Sequence, residues 1–332
     1  MAGAGVSTGS PSITDFPIFP YGASIQGVPV IPSISGKVFW VDSNTGSDGN
    51  EGTQLRPWAT VKNVVAKVTT GSAGYQPKAG RGDVVFVRAG HTETISDNTS
   101  YALSVSGIQI VGIGAGNLRP TFTLDTATTT TINVSADGIN FTNCLFIANF
   151  AAIASVFTLT TAKDFGLFNC EFRDTSSVLN FVKIVTTGAT TNAADGLKIS
   201  GCRRIGLGAT AATALVGMAG INDRLEISSN YVSHNATTAG SLVINASNKY
   251  VTNALILNNL VLTPSTTATA QLINAPAAGN TGFIDGNRYR GGSTITTPTT
   301  VTASSGFSFG SNLAVHTADK SGYVIPVIDA SS

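Results

Sequence analysis

Residues 139–144, 165–170, 197–202, 225–230, 254–259 and 282–287 repeat one order of positions: apolar, any, apolar, any, small polar or glycine, then cysteine or asparagine. Gly282 is the one weak member of the first column. The closing positions Cys144, Cys170, Cys202, Asn230, Asn259 and Asn287 stand 26, 32, 28, 29 and 28 residues apart. Residues 84–88 and 108–112 read as earlier turns of the same repeat, and a second apolar strand recurs at 156–159, 181–184, 215–218, 242–244 and 271–273. Short alternating segments separated by Gly, Asn and Thr predict strands and turns. No helical period lies between them, which excludes alternating strand and helix. The spacing therefore predicts an all-β solenoid of about 28 residues per coil.

Like-on-like stacking then puts the six closing residues on one line. Asparagine amides in such a file can hydrogen-bond along the axis as a ladder. The three cysteines read as buried thiols filling the same column. One column cannot supply the convergent ligands that a metal requires, and no CxxC spacing occurs.

An apolar stripe at Trp58, Val61, Val64, Val65 and Val68 follows Pro57 and predicts a short amphipathic capping helix at about 57–68. The organisation expected is an extended N-terminal arm (1–36), a cap with the first coils (37–100), the solenoid proper (101–310) and a tail (311–332). The arm carries five prolines among Phe16, Phe19, Tyr21 and several isoleucines, a composition suited to docking on a partner.

Composition narrows the function. Charged residues make up 11% of the 332 and the net charge is +1, so neither nucleic acid nor an anionic membrane is an expected partner. No apolar run approaches the roughly 20 residues that span a bilayer. The first ten residues lack a basic segment followed by an apolar one, so no secretory signal is expected.

The candidate chemistry is sparse. Counting from the closing column, Glu171, Asp174 and His234, with Arg173 and Arg203, form the best titratable cluster, and Glu171 with Arg203 on the next coil reads as a surface ion pair. A glycosidase would need two facing carboxylates. Asp42, Asn44, Asp48 and Asn50 partly mimic a calcium loop, although the same residues make turns. GxSxG strings place Ser7 and Ser308 as formal nucleophile candidates, but Ser7 sits in the irregular N-terminal arm and no helix pattern follows Ser308. No cofactor is expected.

Residues 39–53, 56–61 and 82–93 carry a family resemblance, through Val41-Asp42, Gly46, Asp48, Asn50, Gly52-Thr53, Pro57-Trp58, Thr60-Val61, Gly82-Asp83, Gly90 and Glu93. This resembles the N-terminal signature of pectate-lyase-like right-handed parallel β-helix proteins, of the kind found as phage virion structural proteins such as decoration proteins and tailspikes. Thr92 stands where tyrosine is usual, and Glu93 comes one residue early. The resemblance implies a right-handed parallel β-helix over about 37–310, and the fold alone fixes no activity.

The expected function is a non-enzymatic phage virion structural protein, a capsid decoration or cement protein made in the host cytoplasm. It would dock through the arm on other virion proteins, the major capsid protein first, and associate with itself, a trimer being one form. The alternative is a tailspike-like receptor-binding protein or polysaccharide depolymerase, of lyase or hydrolase type, with a glycan partner.

Overall fold

The computed structural model describes residues 36–64, 82–99, 101–207, 212–234, 241–263, 271–291 and 306–315, with the backbone of the short strands Ser24–Ile25, Val28–Pro29, Thr299–Val301 and Tyr323–Ile325. Phe16, Phe19, Tyr21 and Ser7 lie outside them.

The coils between the two ends each send one strand to each of three sheets, and the strands of successive coils pair in parallel. Sheet 1 has ten strands, from Val38–Val41 to Gly306–Phe309. Sheet 2 also has ten, from Thr92–Ile95 through Asn312–Val315 to Tyr323–Ile325, which pairs antiparallel and occupies the edge. Sheet 3 has eight, from Ala102–Leu103 to Thr299–Val301. The chain is thus a parallel β-solenoid. Its parallel strand ladder starts at Val38 and runs to Val315.

The core follows from register. In sheet 1 the inward file is Phe39, Val85, Ile110, Phe141, Leu167, Ile199, Ile227, Ile256 and Ile284, each 3% exposed or less. Fully burying one such side chain is worth about 1.5–3 kcal/mol, so the column is a large share of what holds coil on coil. In sheet 2 the file reads Glu93, Phe122, Phe146, Phe172, Arg204, Val232, Val261, Tyr289 and Ala314. Phe122, Phe146 and Phe172 stack at centroid distances of 5.4 and 5.3 Å.

The bend from sheet 1 to sheet 2 explains the last two columns of the sequence repeat. Asn143, Asn169, Gly201, Ser229, Asn258 and Gly286 take φ of 57°, 52°, 65°, 56°, 56° and 65°, a left-handed turn that asparagine and glycine accept at low cost. The next residue points inward as the ladder rung. Asn230, Asn259 and Asn287 each accept the backbone N–H of the preceding rung, at 2.8–3.0 Å. Each also donates Nδ2 to a sheet 1 carbonyl one coil back, on Ile199, Ile227 and Ile256. Asn312 adds a seventh rung, donating to Ile284 O and accepting from the Asn287 backbone N–H and Nδ2. Cys170 and Cys202 donate Sγ to Phe141 O and Leu167 O, the equivalent acceptors.

The cap differs from expectation in one respect. The helix begins at residue 61, not 57. Trp58 is bridged to Val41 instead: its N–H donates to Trp40 O at 3.0 Å and its carbonyl accepts Asp42 N–H at 2.8 Å. Those backbone bonds, with the ring stacked on Phe39 at 5.2 Å, hold Pro57-Trp58 as an extension of sheet 1. Thr60 is the cap residue, its Oγ1 accepting Asn63 N–H at 3.1 Å. The stripe members Val65 and Val68 lie outside the described residues.

Candidate functional site

The acidic turn before the cap is built from hydrogen bonds within the chain. Asp42 accepts Asn44 N–H at 2.9 Å, Thr45 Oγ1–H at 2.6 Å and Arg88 Nη1–H at 3.3 Å. Burial pushes its carboxyl upward, but these donors outweigh it and hold the group below the usual carboxylate range. Asp48 accepts the N–H groups of Ala59 and Thr60 at 3.1 and 3.0 Å. Asn50 donates to Pro57 O at 2.9 Å, and Asn44 to Gly90 O at 3.3 Å. The four candidate cation ligands therefore each have protein partners, in turn geometry. Among the described residues, no group of three His, Cys, Asp or Glu is close enough to hold a metal ion.

Glu93 closes the same knot. Its buried carboxylate accepts the N–H groups of Val61 and Lys62, at 2.8 and 3.2 Å, where the helix begins. His91 Nδ1 accepts Ser43 N–H at 3.0 Å, so Nε2 carries the ring proton and donates to Glu93 at 3.2 Å. Glu93 thus positions the start of the cap helix.

The outward face of sheet 2 is the most distinctive surface. Glu171 is held by Arg119 Nη1 at 3.1 Å and by Arg173 Nε at 3.1 Å. Arg203, its register partner, lies over the Tyr231 ring instead, 5.7 Å from the centroid. The expected pairing of Glu171 with Arg203 is thus replaced by two other arginines and a cation–π contact. Leu260, Arg288 and Leu313 continue the file, with Arg290 beside them. Glu171 is the one carboxylate among the outward side chains of the described sheet 2 strands, against Arg173, Arg203, Arg288 and Arg290.

Asp174 and His234 do not share that face. Side chains alternate along a strand, so Glu171 and Arg173 point out while Phe172 and Asp174 point in. Asp174 and His234 are 2% and 1% exposed, and Arg204, which the sequence reading did not single out, is 1% exposed. Arg204 donates to Ala214 O at 3.0 Å and Phe181 O at 2.5 Å, and Asp174 Oδ1 accepts Phe181 N–H at 3.1 Å. Burial drags Arg204 down to about 10, against the attraction of Asp174. Burial raises the Asp174 carboxyl, and burial beside Arg204 holds His234 well below its ordinary value. Position parity was the signal available: offset one from the rung column points out, whereas offsets two and four point in. The wall of the rod separates Glu171 from Asp174 and His234.

The three thiols are free and buried. Burial pushes the Cys202 thiol up. Ser308 lies in the strand Gly306–Phe309, which leads into the strand Asn312–Val315 and so forms no strand-to-helix elbow.

No protein-family model matches the chain, and no curated protein does. Among solved structures it is similar to a rhamnogalacturonan lyase at 12% identity and a TM-score of 0.38, over 83% of this chain and 87% of that one. It is also similar to the GH136 lacto-N-biosidase from Eubacterium ramulus at 12% identity and a TM-score of 0.39, over 76% of this chain and 56% of that one. These likenesses say nothing about a reaction; the solenoid assignment rests on the strand pairing itself.

Proposed function

We propose that this chain is a non-enzymatic structural rod on the surface of a phage particle, a decoration or cement protein of the head. The observation that carries the reading is the disposal of its acid–base residues: Glu171 is clamped between arginines, and Asp174 and His234 are sealed inside. A hydrolase or lyase needs such groups open to substrate. In this reading residues 1–36 attach the rod to the major capsid protein, and rods associate side by side, a trimer being the simplest closed form. A mass-spectrometric inventory of purified particles tests it: abundant copies support a shell protein, a handful per particle moves it to the tail, and absence sinks it. Removing residues 1–36 should abolish particle binding and leave the rod folded.

A second reading is favoured by one observation, the arginine-rich face of sheet 2 with Arg203 stacked on Tyr231. That face suits an acidic surface glycan without cleaving it, since guanidinium forks match carboxylates. Arg203→Ala and Tyr231→Ala should each weaken glycan-array binding several-fold; an array blank for the native protein removes this reading.

A further inference from the structure

Asp174, Arg204 and His234 come from three successive coils and meet inside the bend from sheet 2 to sheet 3. Gly206 holds the register place between Asp174 and His234, one residue past the paired Arg173, Ile205 and Ser233. A Cβ at Gly206 would meet His234 Cβ at 2.9 Å and Ser233 O at 2.9 Å, so only glycine lets the coils close up at this bend. Four buried atoms of this cluster have no hydrogen-bond partner among the described residues: Asp174 Oδ2, Arg204 Nε, and His234 Nδ1 and Nε2. The Leu207 N–H acts on the Asp174 carboxyl but gives Oδ2 no hydrogen bond. Leaving such groups bare forfeits their hydration without a replacement bond, a penalty native interiors seldom carry.

The chemistry of the four atoms selects the occupant. Arg204 Nε is a donor and Asp174 Oδ2 an acceptor. A neutral imidazole adds one of each. Two donors and two acceptors exclude a bare cation, which would face the guanidinium. They equally exclude an anion, which would face the carboxylate. Water both donates and accepts, and a buried water makes about three hydrogen bonds of this kind.

We propose that Asp174, Arg204 and His234 enclose a site for internal water, bridging the unpartnered atoms of carboxylate, guanidinium and imidazole. The water completes the clamp by which Arg204 holds the carbonyls of Phe181 and Ala214, the starts of two sheet 3 strands. It is a structural ligand, sealed from bulk solvent by side chains exposed 2% or less.

A high-resolution crystal structure of the full chain tests this. The expected result is well-ordered density within hydrogen-bond distance of Asp174 Oδ2, Arg204 Nε and one His234 nitrogen. A direct bidentate Asp174–Arg204 pair with nothing between, saturation of the four atoms by neighbouring loop residues, or density of an ion would each overturn it. In solution, the ring N–H of 15N-labelled His234 should cross-relax with long-lived water; its failure to do so overturns the proposal independently of crystal conditions. Should His234→Leu fold, its crystals should lose the density, and retention of that density would remove the imidazole from the site.

Discussion

At the bend between sheets 1 and 2, the carbonyls of Phe141 and Leu167 accept cysteine thiols at 3.6 and 3.4 Å, whereas those of Ile199, Ile227, Ile256 and Ile284 accept asparagine amides at 2.8–2.9 Å. The backbone track is the same in both halves, and each rung meets one recurring demand, a donor for a buried carbonyl. The amide does more: its oxygen takes the N–H of the previous rung, which couples each coil to two others. The upper coils carry the weaker thiol rungs beside stacked phenylalanines. The coils from Asn230 onward carry the amide ladder, and their sheet 2 file holds Val232, Val261 and Tyr289, while Arg204 stands on the junction coil of Cys202. One period thus admits two interiors, one held chiefly by apolar stacking and one by a connected polar network.

The largest effect that would test this contrast is Asn259→Ala. It strips a donor from Ile227 O and an acceptor from Asn230, and takes the amide partner from Asn287. Because each bare buried group costs about 1–3 kcal/mol, chemical denaturation should show a loss of about 3 kcal/mol or more. A loss near that of an ordinary cavity would mean that the ladder is no network.

Acid should act next, and on the lower interior. His234 in the fold sits well below its ordinary value of 6.5, through burial first and Arg204 second. It is neutral when folded and protonates on unfolding, so its contribution is complete above pH 6.5 and is lost as pH falls below that value. The limiting slope is about 1.4 kcal/mol per pH unit. Asp174, raised by burial from 3.8, works in the opposite sense: its cost at neutral pH is relieved on protonation. Melting temperature followed from pH 7 downward should fall, and His234→Leu should flatten the profile below 6.5. An unchanged profile would dissociate the imidazole from acid sensitivity.

Cys170→Ala should cost less than the asparagine change, about 1–2 kcal/mol, since it removes one soft side chain and long Sγ bonds to Phe141 and Phe168 carbonyls. A cost equal to that of Asn259→Ala would erase the distinction between the halves. All three thiols, 2% exposed or less, should resist labelling until the rod unfolds.

How much of this was legible depended on whether a position is governed by period or by partner. Rung identity and the left-handed residue before it are local demands, so Cys144 to Asn287 could be read by spacing alone. Asn312 is a rung too but escaped, because its step of 25 residues is short and Ser311 before it is not left-handed. Arg204 was illegible by composition, since an arginine reads as surface; its inward parity was the available clue. Trp58 misled for the opposite reason. Its spacing to Val61 and Val64 is helical, yet pairing with Trp40 and Asp42 claims its backbone first. Tertiary hydrogen bonds overrode a local pattern.

Cys202→Asn is the smallest change and the sharpest. Cys202 is the junction rung: its N–H already donates to Asn230 Oδ1 at 2.8 Å, while its Sγ reaches Leu167 O at 3.4 Å. An asparagine there would offer Nδ2 to Leu167 O and Oδ1 to the Cys170 N–H, extending the amide run by one coil. If thiol and amide are interchangeable answers to one backbone demand, stability should change by no more than about 1 kcal/mol, because the gained bond offsets modest crowding. A loss above about 2 kcal/mol, a cost typical of overpacking, would mean that the neighbouring Cys170 and Phe172 set the rung by volume. The boundary between the two halves would then be a packing limit and not a choice of donor.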